Sequence, residues 1–269
     1  MFPDECNQGP SLVYDSRVAK GSIPLTFMPI AGPEANEKAI EALAAQAEGV
    51  IFAIDSEKTF GAPVIDTFIK PGGALKRVAV MSRYLNGDGM GFFASSAKAA
   101  ANRDIWAGGK AVDDYRAMEQ TIATKCAAAG AEYTVIRAGT LKGGASGSSL
   151  TDVDADTEGE AGGEPSFLNP YFYKMGQQDV VNWRLIFDCD NLGVNFVKGD
   201  TLPGPGNGAV FTATVKLGQG DSNRGAVATA LVEALRAPEA ANCDFSVGAT
   251  QGRTFPSETE WAALFKQAS

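Results

Sequence analysis

Short apolar runs, each closed by a turn and followed by a stretch of helical periodicity, recur along this 269-residue chain. That alternation restricts the fold more than any single motif does, because it is the pattern of βαβ units around a parallel sheet. Residues 11–16 (SLVYDS) and 25–30 (LTFMPI) read as the first two strands. A helix over 34–47 places Ala39, Ile40, Leu43, Ala44 and Ala47 on one face. Gly49 ends it, and 50–54 (VIFAI) is a buried strand. A short helix over 62–70 is closed by Pro71-Gly72-Gly73, and 77–82 (RVAVMS) is the next strand. A long helix from 109 to 129 stops at Gly130, before a strand at 133–137 (YTVIR).

Further on, strands are expected at 194–197 and 244–247 (DFSV), and helices at 222–237 and 257–267. Ser257, three residues before Glu260, predicts a capping box at the start of the last of these. The chain is therefore read as one α/β domain over 1–269, a doubly wound parallel sheet with a small C-terminal lobe. Residues 139–190 form a surface insertion and lid-like segment within it. Between 152 and 160 this segment carries five acidic residues and no basic one, and 152–163 offers little apolar surface to offset the entropy of ordering it. The D-x-D-x-D spacing of Asp152, Asp154 and Asp156 lacks the later glycine and the twelfth-position glutamate of an EF-hand, so a solvated loop is expected rather than a metal site. The aromatic set Phe167, Tyr171, Phe172, Tyr173, Trp183 and Phe187 is read as packing of the small lobe, with a hydrophobic-ligand pocket or a partner surface as the alternatives.

Composition removes several classes of function. The chain has no histidine, which excludes Ser-His-Asp and Cys-His nucleophilic schemes and leaves acid–base work to Tyr, Lys, Asp, Glu or Cys. A net charge of −9 is the wrong sign for a nucleic-acid surface. No run reaches the roughly 18–20 apolar residues of a membrane span, and residues 1–10 show neither the basic nor the apolar region of a signal peptide, so a soluble protein is expected. Cys6, Cys126, Cys189 and Cys243 are widely spaced with no CxxC pair, the pattern of free thiols in a reducing compartment.

Five segments in order resemble one family. GVIFAI (49–54), LKRVAVMS (75–82), AEYTVIRAGTL (131–141), DSNRGAVATALVEAL (221–235) and NCDFSV (242–247) follow one another as in the atypical and extended short-chain dehydrogenase/reductases of the NmrA-like, NAD(P)-binding kind. Glu119 fits the glutamate of that family's K-x-x-x-E helix. The resemblance covers roughly residues 11–250 and implies a Rossmann-like fold, here N-terminally truncated. The family's phosphate-binding glycine loop would stand before residue 11, and no equivalent is present there. GGASG (143–147) and GPGNG (204–208) read as loops rather than phosphate cradles.

The resemblance also implies where catalytic groups should lie. The family uses a tyrosine with a lysine four residues later. Alignment on Glu119 puts Ala111 at the tyrosine position and Tyr115 at the lysine position, and none of the six tyrosines has a lysine four residues on. Catalytic residues are therefore expected to be absent, with Ser82, Lys110 and Tyr115 as the candidates only if the chain is an enzyme. Ser82 itself reads as a turn or cap. Vestigial cofactor contacts would be Arg17, Ile54 and Ser82, with Arg17 placed where NADP-preferring members hold the 2′-phosphate. Arg137 matches the arginine of the family's R-P-G, with Ala138 in place of the proline.

The reading that follows is a pseudoenzyme, a short-chain-dehydrogenase-like scaffold or accessory subunit of a larger photosynthetic or respiratory complex. No cofactor and no metal are expected, and protein partners are. The alternatives are an NAD(P)-dependent oxidoreductase or isomerase, using NADP or NAD, and a small-ligand or redox-sensing module. By resemblance and composition, a chloroplast or mitochondrial location is compatible with the chain.

Overall fold

A computed structural model describes residues 37–53, 62–84, 110–142, 190–202, 217–218 and 220–269. Helix α1 (Glu37–Gln46) leads into strand β1 (Gly49–Phe52), followed by α2 (Ala62–Phe68) and β2 (Arg77–Arg83). The long α3 (Lys110–Ala129) precedes β3 (Glu132–Ala138) and, one residue later, β4 (Thr140–Lys142). Then come β5 (Gly193–Lys198), β6 (Asp221–Asn223), α4 (Arg224–Ala234), a 3-10 turn (Pro238–Ala240), β7 (Cys243–Thr250) and α5 (Glu258–Ala268).

The main sheet has the order β1-β2-β3-β7-β5. Its first four strands are parallel, with Val80 opposite Val135 and Ile136 opposite Phe245. Among the described residues only β5, at the end of this order, runs antiparallel, against β7. This is a mostly parallel, Rossmann-like α/β sheet. The expected strands at 50–54, 77–82 and 133–137 are neighbours in it, while those at 11–16 and 25–30 lie outside the described residues.

Burial explains why the central strands are apolar without alternation. On one face Val78, Val80 and Val135 pack with Tyr115, Met118, Ile122 and Cys126 of α3. On the other, Ala79, Met81, Ile136 and Phe245 pack under Ala226, Ala230 and Ala234 of α4 and under Trp261 and Phe265 of α5. Helices on both faces leave no side of β2 or β3 to water, so every position must be apolar or internally paired. The alanines of α4 let its backbone approach the sheet closely, and Phe196, Phe245, Trp261 and Phe265 fill the space beyond with edge-on and stacked rings.

Helix ends follow their local chemistry. Gly130, at φ +71, ends α3 in a Schellman motif: its N–H reaches the Ala127 carbonyl, and that of Ala131 the Cys126 carbonyl at 2.9 Å. The expected capping box is present, with Ser257 and Glu260 bonding each other's backbone at the start of α5. Some boundaries differ from the sequence reading: the strand expected over 50–54 is Gly49–Phe52, and the helix expected to reach 237 ends at Ala234. The helix expected from Ser222 starts at Arg224, because Asp221–Asn223 is a strand and the Asn223 side chain accepts from Gly225 N–H (2.8 Å) and Ala226 N–H (3.3 Å). Asn223→Ala is expected to cost about 1–2 kcal/mol in urea unfolding, since it removes this cap together with the Nδ2 bond to the Asn191 carbonyl. An unchanged midpoint would contradict that role.

Among the described residues no helix is long and apolar enough to cross a membrane, and no His/Cys/Asp/Glu cluster could hold a metal ion. Cys126 and Cys243 are free; Cys6 and Cys189 lie outside the described residues. So do the acidic run at 152–163 and the aromatic set at 167–187. The opening of the 139–190 segment is ordered: Thr140–Lys142 forms a parallel two-stranded ribbon with β6.

Candidate functional site

In a parallel sheet of this kind the carboxyl ends of the strands are where ligands bind. Here β2 ends in Ser82 and Arg83, with Tyr84 just beyond, and β3 runs through Arg137 and Ala138 into Gly139. Each polar group is buried, and each is held by the chain itself.

Ser82 is fully buried and lies within the strand rather than at a turn or cap, which corrects its expected role. Its hydroxyl donates to Glu119 Oε1 at 2.5 Å. Glu119 projects from α3 and also accepts from Arg116 Nη1 (2.5 Å) and from Arg137 Nη2 (2.8 Å). Arg116 in turn reaches Asp200 at 2.5 Å, just past β5, and Arg137 bonds Asp244 of β7. The chain of charges Asp200–Arg116–Glu119–Arg137–Asp244 thus ties one helix, two strands and a loop together. Burial alone would lower the pKa of Arg137, but the carboxylates of Glu119 and Asp244 outweigh it and raise it, so the guanidinium stays charged.

A second polar knot sits at the β4–β6 ribbon. Lys142 and Asp221 form a buried ion pair at 2.7 Å, and Asp221 Oδ2 also accepts from the Gly218 N–H at 2.6 Å. The Ser222 hydroxyl accepts from the Gly139 N–H (2.7 Å) and donates to the Val247 carbonyl (2.6 Å), linking the end of β3 to β7. Arg83 donates to the Gly139 carbonyl. Tyr84, 1% exposed, donates to the Asp221 carbonyl at 3.3 Å. The one buried side-chain oxygen without a hydrogen-bond partner among the described residues is Thr140 Oγ1.

Burial pushes the Tyr84 hydroxyl up to about 12; its bond with Ser222 pulls the other way, and Asp221 adds to the rise. The Cys126 thiol is pushed up to about 11 by burial. Both groups hold their protons more tightly folded than unfolded, so they leave stability untouched below the unfolded values of 10.0 and 9.0 and remove it as pH rises from there toward the folded ones. Each rise is worth roughly 2–3 kcal/mol when fully developed, at about 1.4 kcal/mol per tenfold. Unfolding free energy is therefore expected to fall between pH 9 and 12, and Tyr84→Phe with Cys126→Ala to flatten that fall. An equally steep profile in the double variant would contradict it.

Of the positions expected from the sequence, Arg17 and Ile54 lie outside the described residues. Lys110 is the first residue of α3, with nothing described of its side chain. Tyr115 is 1% exposed, packed in the core with Ile65, Met118 and Ile122. Ser82 and Arg137 are brought together through Glu119. Sequence reasoning missed Tyr84, Arg116, Lys142, Asp200, Asp221 and Asp244 as members of these knots. Tyr84 carried a signal, a polar aromatic directly after an apolar strand; for the rest, no local pattern marks which charged side chain pairs with which.

No protein-family model matches the chain, and no curated protein matches it either. Two solved structures from Veillonella parvula are similar to it. One is a short-chain dehydrogenase/reductase (ethylated), 14% identical at a TM-score of 0.41, over 82% of this chain and 72% of that one. The other is a short-chain dehydrogenase/reductase (wide type) in complex with NADP, 16% identical at a TM-score of 0.42, over 94% of this chain and 92% of that one. The Rossmann-like character rests on the chain's own four parallel strands.

Proposed function

We propose that the chain is a non-catalytic relative of the short-chain dehydrogenase/reductases, serving as a scaffold or accessory subunit of a larger assembly. The observation that carries this reading is how the polar groups at the carboxyl ends of β2 and β3 are used. The Ser82 hydroxyl is given to Glu119, the Lys142 ammonium to Asp221, and Tyr84 to Asp221 and Ser222. Proton transfer to a substrate carbonyl calls for a hydroxyl within reach of it and a pKa brought toward neutrality. Tyr84 is shifted the opposite way, and Tyr115 lies inside the core.

A cofactor would need a cradle. Of the expected contacts only Ser82 lies among the described residues, and its hydroxyl is already committed to a carboxylate, so no reaction step is assigned through a dinucleotide. An NAD(P)-dependent oxidoreductase or isomerase is the second reading; the mostly parallel sheet favours it, since such sheets take ligands at the edge occupied by Ser82 and Gly139.

Calorimetric titration with NAD and NADP, paired with a spectrophotometric assay for nicotinamide reduction, separates the two. The expected result is neither micromolar binding nor turnover. Micromolar affinity for either cofactor would sink the scaffold reading and put the oxidoreductase first. The assembly role is checked by the size at which the native protein elutes: as a monomer or dimer of this chain alone, it would have no larger complex to serve.

A further inference from the structure

We draw no further inference here: the strongest candidate, the groove of about 350 Å³ between the edge strand β5 and helix α5, lined by Val194, Phe255, Pro256 and Leu264, is an open, largely apolar face, and nothing in the structure shows what covers it.

Discussion

Arg137→Ala is expected to destabilise the protein by about 3–5 kcal/mol, the usual consequence of removing one partner from a buried ion pair. The Arg137 side chain is 10% exposed and lies between Glu119, 11% exposed, and Asp244. Without it, Glu119 keeps the Ser82 hydroxyl and Arg116, but loses two guanidinium bonds in a place where water cannot replace them. The cost is therefore mostly that of a carboxylate left undercompensated, and only in small part that of weaker packing. A pairwise control follows from this. Glu119→Gln combined with Arg137→Met removes both charges and should recover a large share of the loss. Arg236, 55% exposed and paired with Glu233 and Glu258, provides the contrast, since its replacement by alanine should cost no more than about 1 kcal/mol. Urea denaturation of the four proteins decides it: a single-variant loss under about 1 kcal/mol would mean that the network is solvated and structurally idle.

How much of this was legible in the sequence depends on what holds each element. Strands β2 and β3 announced themselves because burial on both faces demands side chains that are apolar or internally paired, and the apolar stretches within Arg77–Arg83 and Glu132–Ala138 do not alternate with solvated positions. Gly130 and the Ser257–Glu260 box marked helix ends through chemistry confined to neighbouring residues. Strands β4 and β6 gave no such sign. Thr140-Leu141-Lys142 and Asp221-Ser222-Asn223 have no strand periodicity, and they pair because tertiary contacts bring them together 79 residues apart in the Lys142–Asp221 bond. The antiparallel sense of β5 was equally hidden, since the orientation of an edge strand is set by where the chain re-enters the sheet.

The site shows the same division. Ser82 could be placed at a strand end, and Glu119 could be matched to a family position, but their bond to each other could not be read from either. The absence of a lysine four residues after any tyrosine was plain in the sequence. What the structure adds is the state of the Ser82, Tyr84 and Ser222 hydroxyls, which are turned inward to the protein's own acceptors. Asp200 and Asp244 carried no local mark, because nothing in the neighbouring sequence distinguishes a solvated carboxylate from one paired with a guanidinium.

Gly139→Ala is expected to be among the most damaging single changes, at about 3–5 kcal/mol. The cause is steric, since the residue is not in the left-handed region of backbone conformation. A Cβ at this position would stand 2.0 Å from the Gly220 carbonyl oxygen and 2.5 Å from the Tyr84 hydroxyl. Neither neighbour can step aside. Gly220 O is backbone and already accepts the Thr140 N–H at 2.8 Å, while Tyr84 is enclosed by the knot of Asp221 and Ser222. Relief requires β4 to separate from β6, which would break the Thr140–Gly220 bond and strain the bonds from the Gly139 N–H to Ser222 and from Arg83 to the Gly139 carbonyl. Overpacking of this kind costs about 1–3 kcal/mol, and each hydrogen bond broken adds about 0.5–1.5. Gly49→Ala is the matched control: there the added methyl meets the Leu235 methyl groups, at 3.3 and 3.7 Å, which can rotate away, and the Arg77 carbonyl oxygen at an ordinary contact distance of 3.9 Å, so the loss should stay within about 0.5 kcal/mol. Adding Tyr84→Phe to Gly139→Ala removes one of the two oxygens in the way and leaves the backbone one, so it should not restore stability. Rescue by that second change would place the obstruction at the phenol and disprove the close approach of the two glycines.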